Sequence, residues 1–487
     1  MTHTYNTSRR VRAGWAPGRT LPVVSGMLLA LSLGACDSKR VLQVTDPDVA
    51  KPPALVGAAA IPTLYAGAVG DFAVAYGGNA GNTPPLGATE GELGYSALLT
   101  DEYINVETFP TRIEIDQRNT TPDNANIVAV FRATEKARAS ADFASTKIGV
   151  ANPNDVRRSE TMSLAGFAID FLGEDYCSGS PISLLTENTV LIFGAPQTTA
   201  QLWDDAISKF DSAITIALAA GTSGATQLNL ARVGKARALV NKGDYAGAAV
   251  VIGATGPSGA AVPTNFVYLV TYSANTSREN NGVFFWNQNN RRFAPTDVEG
   301  INGLPYRTDN DPRVRQTRTG TFQTAATTGF DGVSPLWIAN ELPNTWAPQG
   351  KYATRDASIP LASGLEARLI EAEAALAAGD LVGYLAGINA EQTAQAVTLS
   401  TLPATTAAQQ DLLFKERAYS LWLTAHRLGD MRRLIRQYGR NSETVFPTGT
   451  FFHSGSASGN YGTDVNLILP NQELNNPNFH GCIDRAA

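Results

Sequence analysis

Apolar residues recur at helical spacing in several separate stretches of this chain. In 411–439, Phe414, Ala418, Leu421, Ala425 and Leu428 follow one another at alternating four- and three-residue steps. Leu412, Tyr419, Trp422 and Leu423 form a second stripe beside them. A helix that is apolar round most of its circumference is buried by neighbours on several sides. Thr406 and Gln409 have capping-box spacing and place its start, and Gly439 is a C-cap stop. Glu416, Arg417, His426, Arg427, Asp430, Arg432 and Arg433 are threaded through the same stretch. Charges in such a helix must reach water or pair. The pattern therefore predicts one central core helix with ion-paired rims. His426 has no nucleophile or partner signature that would make it catalytic.

Helical spacing also covers 54–76, 124–148, 158–183, 201–218, 230–252 and 366–389. Ser363 and Glu366 have capping-box spacing at the start of the last of these. The carboxylates of 366–376 then read as a solvated face. Gly243-Asp244 and Gly379-Asp380 are equivalent turns between packed helices, 136 residues apart (379 − 243). That separation excludes a tandem array of ~34-residue repeats. Residues 77–119 read as loop-rich. An insertion, 253–360, is rich in Pro, Gly, Asn, Thr and aromatic residues. So long a structureless loop is improbable inside a compact domain, and short strands such as 282–288 are predicted within it.

Composition changes this picture little. With 43% hydrophobic and 17% charged residues the chain is an ordinary globular one. Net charge is −6 and no basic stripe with interleaved aromatics occurs, so nucleic acid is not a predicted partner. The N-terminus is a processing signal. Arg9, Arg10, Arg12 and Arg19 precede a short apolar run, 23–33, too short to span a bilayer. Leu33-Gly34-Ala35-Cys36 then matches a bacterial lipobox, so Cys36 is the predicted lipidation site. The predicted organisation is a signal peptide over 1–35, a tether over 36–53 and one domain over 54–487. That domain comprises a helical scaffold (124–252 and 361–439), the insertion (253–360) and a loop-like tail (440–487). No segment after the signal is read as apolar enough to cross a membrane. Cys177 and Cys482 remain as a pair in an exported chain and either form a disulfide or stand as two separate thiols.

The string ERAYSLWLTAHRLGDMRRL resembles the late helix of the SusD/RagB family, E-R-x-x-E-L-x-x-E-G-x-R-x-x-D-L-R-R. Glu416, Arg417, Leu421, Arg427, Asp430, Arg432 and Arg433 match it. Ser420, Thr424, Ala425 and Met431 depart from it. TDEYIN at 100–105, Asp311-Pro312-Arg313, Lys351-Tyr352 and the closing LILPNQELNNPNF are similar to further pieces of the family, in order. The resemblance implies a mainly α fold, a tetratricopeptide-like scaffold of helical pairs with a large loop-rich insertion and few short strands. It also implies a surface lipoprotein, not an enzyme, that captures a glycan or other nutrient for a SusC-like TonB-dependent transporter. Its expected place is the outer membrane, facing outwards, held by the lipid anchor. Asp37 after the lipidated cysteine is a signal for inner-membrane retention in some bacteria, against that placement.

Catalytic chemistry has no signature here. There is no H-E-x-x-H motif, no P-loop and no dinucleotide fingerprint, and the four histidines lack ligand spacing. No cofactor or metal is predicted. A glycoside hydrolase using loop carboxylates and a helical scaffold that binds only protein are the competing classes. Sugars offer apolar C–H faces rimmed by hydroxyls, so a binding site needs flat rings beside amides and carboxylates. Trp337 and Trp346 are the first candidates, followed by Trp286, Tyr306, Tyr103 and Asp101. The amides of Asn287, Gln288, Asn289, Asn290, Asn340 and Asn344 lie beside these rings in the sequence.

Overall fold

The computed structural model describes residues 57–81, 88–185, 190–318, 337–339, 351–452 and 458–487. All lie in the compact unit Leu55–Ala487. Cys36 and Trp346 lie outside the described residues, as do Asn340 and Asn344.

The first half is built from α1 (Ile61–Gly77), α2 (Gly91–Leu99), β1 (Tyr103–Asn105), α3 (Pro110–Asp116), α4 (Ala125–Ala151) and α5 (Val156–Asp175). The stretch 77–119 is thus not loop-rich as expected. Its helices are short, and α2 is buried on every side, so no amphipathic period marks it. Asn124 and Asp155 start α4 and α5 by accepting hydrogen bonds from first-turn N–H groups. Ala58–Gly77 has mean hydropathy 1.3 and is long and apolar enough, by length and composition, to cross a membrane. That corrects the expectation that no such segment follows the signal. Half of it is buried inside the protein. Phe72, Val74 and Tyr76 enter the main core, and Asp71 binds Lys136, Ser140 and Arg278. It is a core helix of this fold.

Next come α6 (Thr199–Ala219), with a Thr198–Gln201 capping box, then α7 (Ala225–Lys242) and α8 (Tyr245–Ile252). Phe210 of α6 inserts its ring between Gly166 of α5 and Gly234 of α7. A Cβ on either glycine would come under 3.0 Å from it. Phe167 meets the same ring edge-on, with centroids 5.0 Å apart. Cys177 and Cys482 form a disulfide across 305 residues and pin the tail beside the end of α5.

The insertion contributes β2 (Val267–Val270), β3 (Phe293–Pro295), β4 (Gln316–Arg318) and β5 (Trp337–Ala339). β6 (Ile359–Ser363) closes it. The ladders are antiparallel: β1 with β3, β2 with β6 and β4 with β5. Residues 282–288, expected as a strand, are helical. Asn281 caps the turn Gly282–Phe284, which continues as the π-turn Phe285–Asn289. A short apolar run has no resolvable period. Gly282 also lies against the backbone of Gly77 and Gly78, where a side chain would clash.

α9 (Gly364–Ala377) and α10 (Leu381–Ala394) repeat the α7–α8 design as expected. Gly243 and Gly379 take left-handed φ of 82° and 75°. Asp244 and Asp380 then cap the following helices by accepting from Gly247 N (2.8 Å) and Gly383 N (2.9 Å).

The expected single helix over 411–439 is two, α11 (Thr406–Ser420) and α12 (Arg427–Arg436). Thr405, not Thr406, caps α11. Between them Leu423 and Ala425 adopt φ of 55° and 60°, a conformation costly for side-chain-bearing residues. Buried partners hold the break. Glu102 accepts from Leu423 N at 2.9 Å, Tyr352 Oη donates to Leu423 O at 2.9 Å, and Tyr76 Oη donates to Thr424 O at 3.0 Å. Lys351 Nζ donates to the Trp422 carbonyl. Glu373, expected on a solvated face, is buried and paired with Arg433, and Tyr438 Oη donates to it at 2.6 Å. Trp422 is fully buried, as the stripe predicts.

Candidate functional site

The ribbon formed by β1 and β3 sorts the candidate side chains. Successive residues of a strand point to opposite faces. Tyr103 faces inward against Phe293, with ring centroids 6.0 Å apart. Ile104, Val106 and Ala294 form a small apolar cluster on the other side, and Trp337 packs on it.

Four of the six candidates lie in the core, which corrects the expectation that they face a ligand. Trp286 is 6% exposed, and both its faces are occupied. Phe293 stacks on it at 5.8 Å, and the Arg112 guanidinium lies 4.4 Å from its ring centroid. Its Nε1–H donates to Thr89 O at 3.2 Å. Arg112 is itself held by Glu90 and Glu107. Tyr306 is buried between Tyr419 and Trp422. Tyr103 is buried in the ribbon. Asp101 is buried in a two-pronged ion pair with Arg427, at 2.7 and 2.9 Å, and also accepts from Leu304 N. Two of the neighbouring amides, Asn287 and Gln288, are likewise taken. Asn287 Nδ2 donates to Phe293 O and Trp337 O, and its Oδ1 accepts from Ala339 N. Gln288 Nε2 donates to the Lys351 and Tyr352 carbonyls.

The family-like motif pieces converge on the buried break between α11 and α12. Asp101, Glu102, Lys351, Tyr352 and Arg427 hold it. Arg313 anchors the insertion to α11 through Glu416 (2.6 Å) and Ser420 Oγ (3.0 Å). Burial raises Glu102 to about 8 and lowers Lys351 to about 7. These residues build the scaffold.

Trp337 alone among the described candidates keeps a partly open position. Arg307 lies over its ring with Cζ 4.0 Å from the centroid, and the Arg307 side chain is 30% exposed. Asp297 orients this arginine. It accepts from Arg307 N (2.9 Å) and Thr308 N (3.0 Å), and its second oxygen lies 3.3 Å from Arg307 Nη2. Gln316 Oε1 accepts from Arg307 Nη1 at 3.1 Å, while Gln316 Nε2 donates to Thr296 O. Burial lowers the Arg307 pKa more than Asp297 raises it. The partly open ring thus has a guanidinium over one face, with a carboxylate and an amide holding that guanidinium in place. Sequence reading places Arg307 next to Tyr306 and gives no sign of its stacking on Trp337, thirty residues on (337 − 307).

Among the described residues no cluster of His, Cys, Asp and Glu could hold a metal ion. No family model and no curated protein matches the sequence. Solved structures do match. A SusD-like carbohydrate binding protein from Bacteroides fragilis superposes with a TM-score of 0.59 at 15% identity, over 85% of this chain and 98% of its own. A putative sugar binding protein from Bacteroides vulgatus gives 0.58 at 16% identity, over 88% and 99%. A laminarin binding SusD-like protein gives 0.57 at 13% identity, over 88% and 99%. The chain has the SusD-like fold.

Proposed function

We propose that this chain is a surface lipoprotein that binds a glycan at the Trp337–Arg307 surface and delivers it to a SusC-like TonB-dependent outer-membrane transporter. The observation that carries the reading is the SusD-like fold over most of the chain, shared with structures named as carbohydrate binding and laminarin binding. The partly open tryptophan on the insertion supports it. The lipobox ending at Cys36 supports a lipid anchor, and the SusD-like fold, against the Asp37 signal, is what favours the outer membrane with the body facing outwards. Trp346, seven residues after the end of β5 in sequence (346 − 339), is proposed as a second ligand-binding ring.

The glycoside hydrolase alternative is weakened, because the adjacent carboxylates Asp101 and Glu102 are buried in the scaffold. The neighbours named here are binding proteins. Two measurements test the proposal. Affinity electrophoresis against a panel of polysaccharides, laminarin included, should show retardation without hydrolysis. Pull-down from detergent-solubilised membranes should recover a large β-barrel protein. Absence of both sinks the reading. Replacing Cys36 with Ser should release the protein from the membrane; retention after a salt wash would refute the anchor.

A further inference from the structure

The loop 297–304 presents two aliphatic side chains to water. Val298 is 47% exposed and Ile301 is 72% exposed. Neither belongs to the buried apolar clusters of the described residues. The backbone beneath them is fixed. Val298 N donates to Leu304 O at 2.9 Å, and Gly303 N donates to Glu299 O at 2.8 Å. Ile301 N donates to Thr448 O at 3.0 Å. Asn302 Nδ2 donates to Phe446 O at 3.0 Å and to Thr448 Oγ1 at 2.8 Å. The loop is also continuous with the surface already described. Arg307 lies over Trp337, the Asp297 carboxylate holds Arg307, and Val298 is the next residue.

Val298 takes a φ of 57°. Among the described non-glycine residues with positive φ it alone is β-branched. Glycine adopts this conformation freely, and a β-branched residue adopts it only against steric repulsion. Leu423 and Ala425, strained in the same way, are buried in the core that holds them. Val298 is strained and half in water, so its side chain returns little of that cost to the fold. Strain of this kind collects where a protein meets its ligands. We propose that the loop 297–304 belongs to the glycan-contact surface, with Val298 and Ile301 supplying apolar contacts for the C–H faces of the sugar rings of a polysaccharide. This rests on the carbohydrate-binding reading of that surface. Apolar groups held ready on a fixed backbone need no ordering when the ligand arrives, which favours binding.

The test combines affinity electrophoresis of the unlipidated chain in laminarin, amylopectin and xyloglucan gels with thermal melts. At least one of the three polysaccharides should retard the parent chain. Val298→Gly removes the side chain and the strain together. It should keep or raise the melting temperature. It should weaken binding to the retarding polysaccharide about tenfold, the scale of one valine side chain's apolar contact. Ile301→Ser should melt as the parent does and bind more weakly. A Val298→Gly variant with the parent's affinity overturns the inference. So does one that melts well below the parent, because Val298 is then a packing residue. Either result leaves carbohydrate binding standing. A parent chain that none of the three retards removes the carbohydrate reading and this inference with it.

Discussion

Arg427 grips Asp101 with two parallel hydrogen bonds, 2.7 and 2.9 Å long, across 326 residues of chain. Both side chains are buried, and Tyr306 Oη stands 3.4 Å from the same carboxylate. The pair joins the segment before β1 to the first turn of α12, just past the two left-handed residues of the buried break. Burial opposes each charge separately, and the partner compensates. Arg427 is accordingly held well above the ordinary arginine range, chiefly by Asp101 against desolvation.

Breaking this pair from one side should be costly. Asp101→Asn leaves an uncompensated guanidinium, a loss on the order of 3–5 kcal/mol. Denaturant unfolding measures it. Replacing Asp101 and Arg427 together by apolar residues should cost less than the sum of the two single changes. A single-variant loss below about 1 kcal/mol would show that the pair does not hold the break.

A second buried group makes stability depend on pH. Glu92 accepts from Thr134 Oγ1 and from Tyr176 Oη (3.2 Å) and lies beside Asp175. Burial raises Glu92 from 4.5 to about 7. Burial, then the charge of Glu92, raises Asp175 as well. The folded chain thus keeps protons that the unfolded chain has released. The contribution of Glu92 is complete below its unfolded value of 4.5 and is lost as pH rises through about 7. Glu92→Gln removes the titration and keeps the shape. Its stability should fall less than the parent's between about pH 5 and pH 8. Equal slopes for the two proteins would rule this origin out.

The disulfide offers a third test. Cys177–Cys482 closes a loop of 305 residues. In the chain-entropy account a link this long contributes up to about 5 kcal/mol. Cys482→Ser should lower the denaturant midpoint, and reductant should have no further effect on that variant. Peptide mapping under non-reducing conditions that finds both thiols free would remove the basis of the prediction.

Local devices were legible in the sequence wherever a residue's role depends on its near neighbours. Gly243-Asp244 and Gly379-Asp380 announce their turns because glycine takes φ > 0 freely and aspartate caps the next helix. The break at 421–426 is different. Leu423 and Ala425 carry ordinary helix-compatible side chains, and their left-handed φ is imposed by Glu102, Tyr352 and Tyr76 from distant segments. No periodicity argument contains those contacts. The aromatic candidates failed for a related reason. Trp286 and Trp337 both lie in an insertion rich in rings and amides. Their burial is decided by Arg112 and Phe293 in one case and by Arg307 in the other.

That contrast gives the last prediction. Trp286 is enclosed on both faces and donates to Thr89 O, so Trp286→Ala opens a core cavity. The expected loss is about 3–5 kcal/mol, with binding reduced only as far as the fold is lost. Trp337 covers the small cluster of Ile104, Val106 and Ala294 at a partly open position. Trp337→Ala should cost about 1–2 kcal/mol, within the ordinary range for a point change. It should also abolish glycan binding, because it removes the ring and leaves Arg307 without its support. The helical circular-dichroism signal should stay unchanged. Adding Trp346→Ala should deepen the binding loss without lowering the melting temperature further. Full binding by the folded Trp337→Ala variant would place the ligand elsewhere on the insertion, and a collapse in its stability to match Trp286→Ala would make Trp337 a packing residue.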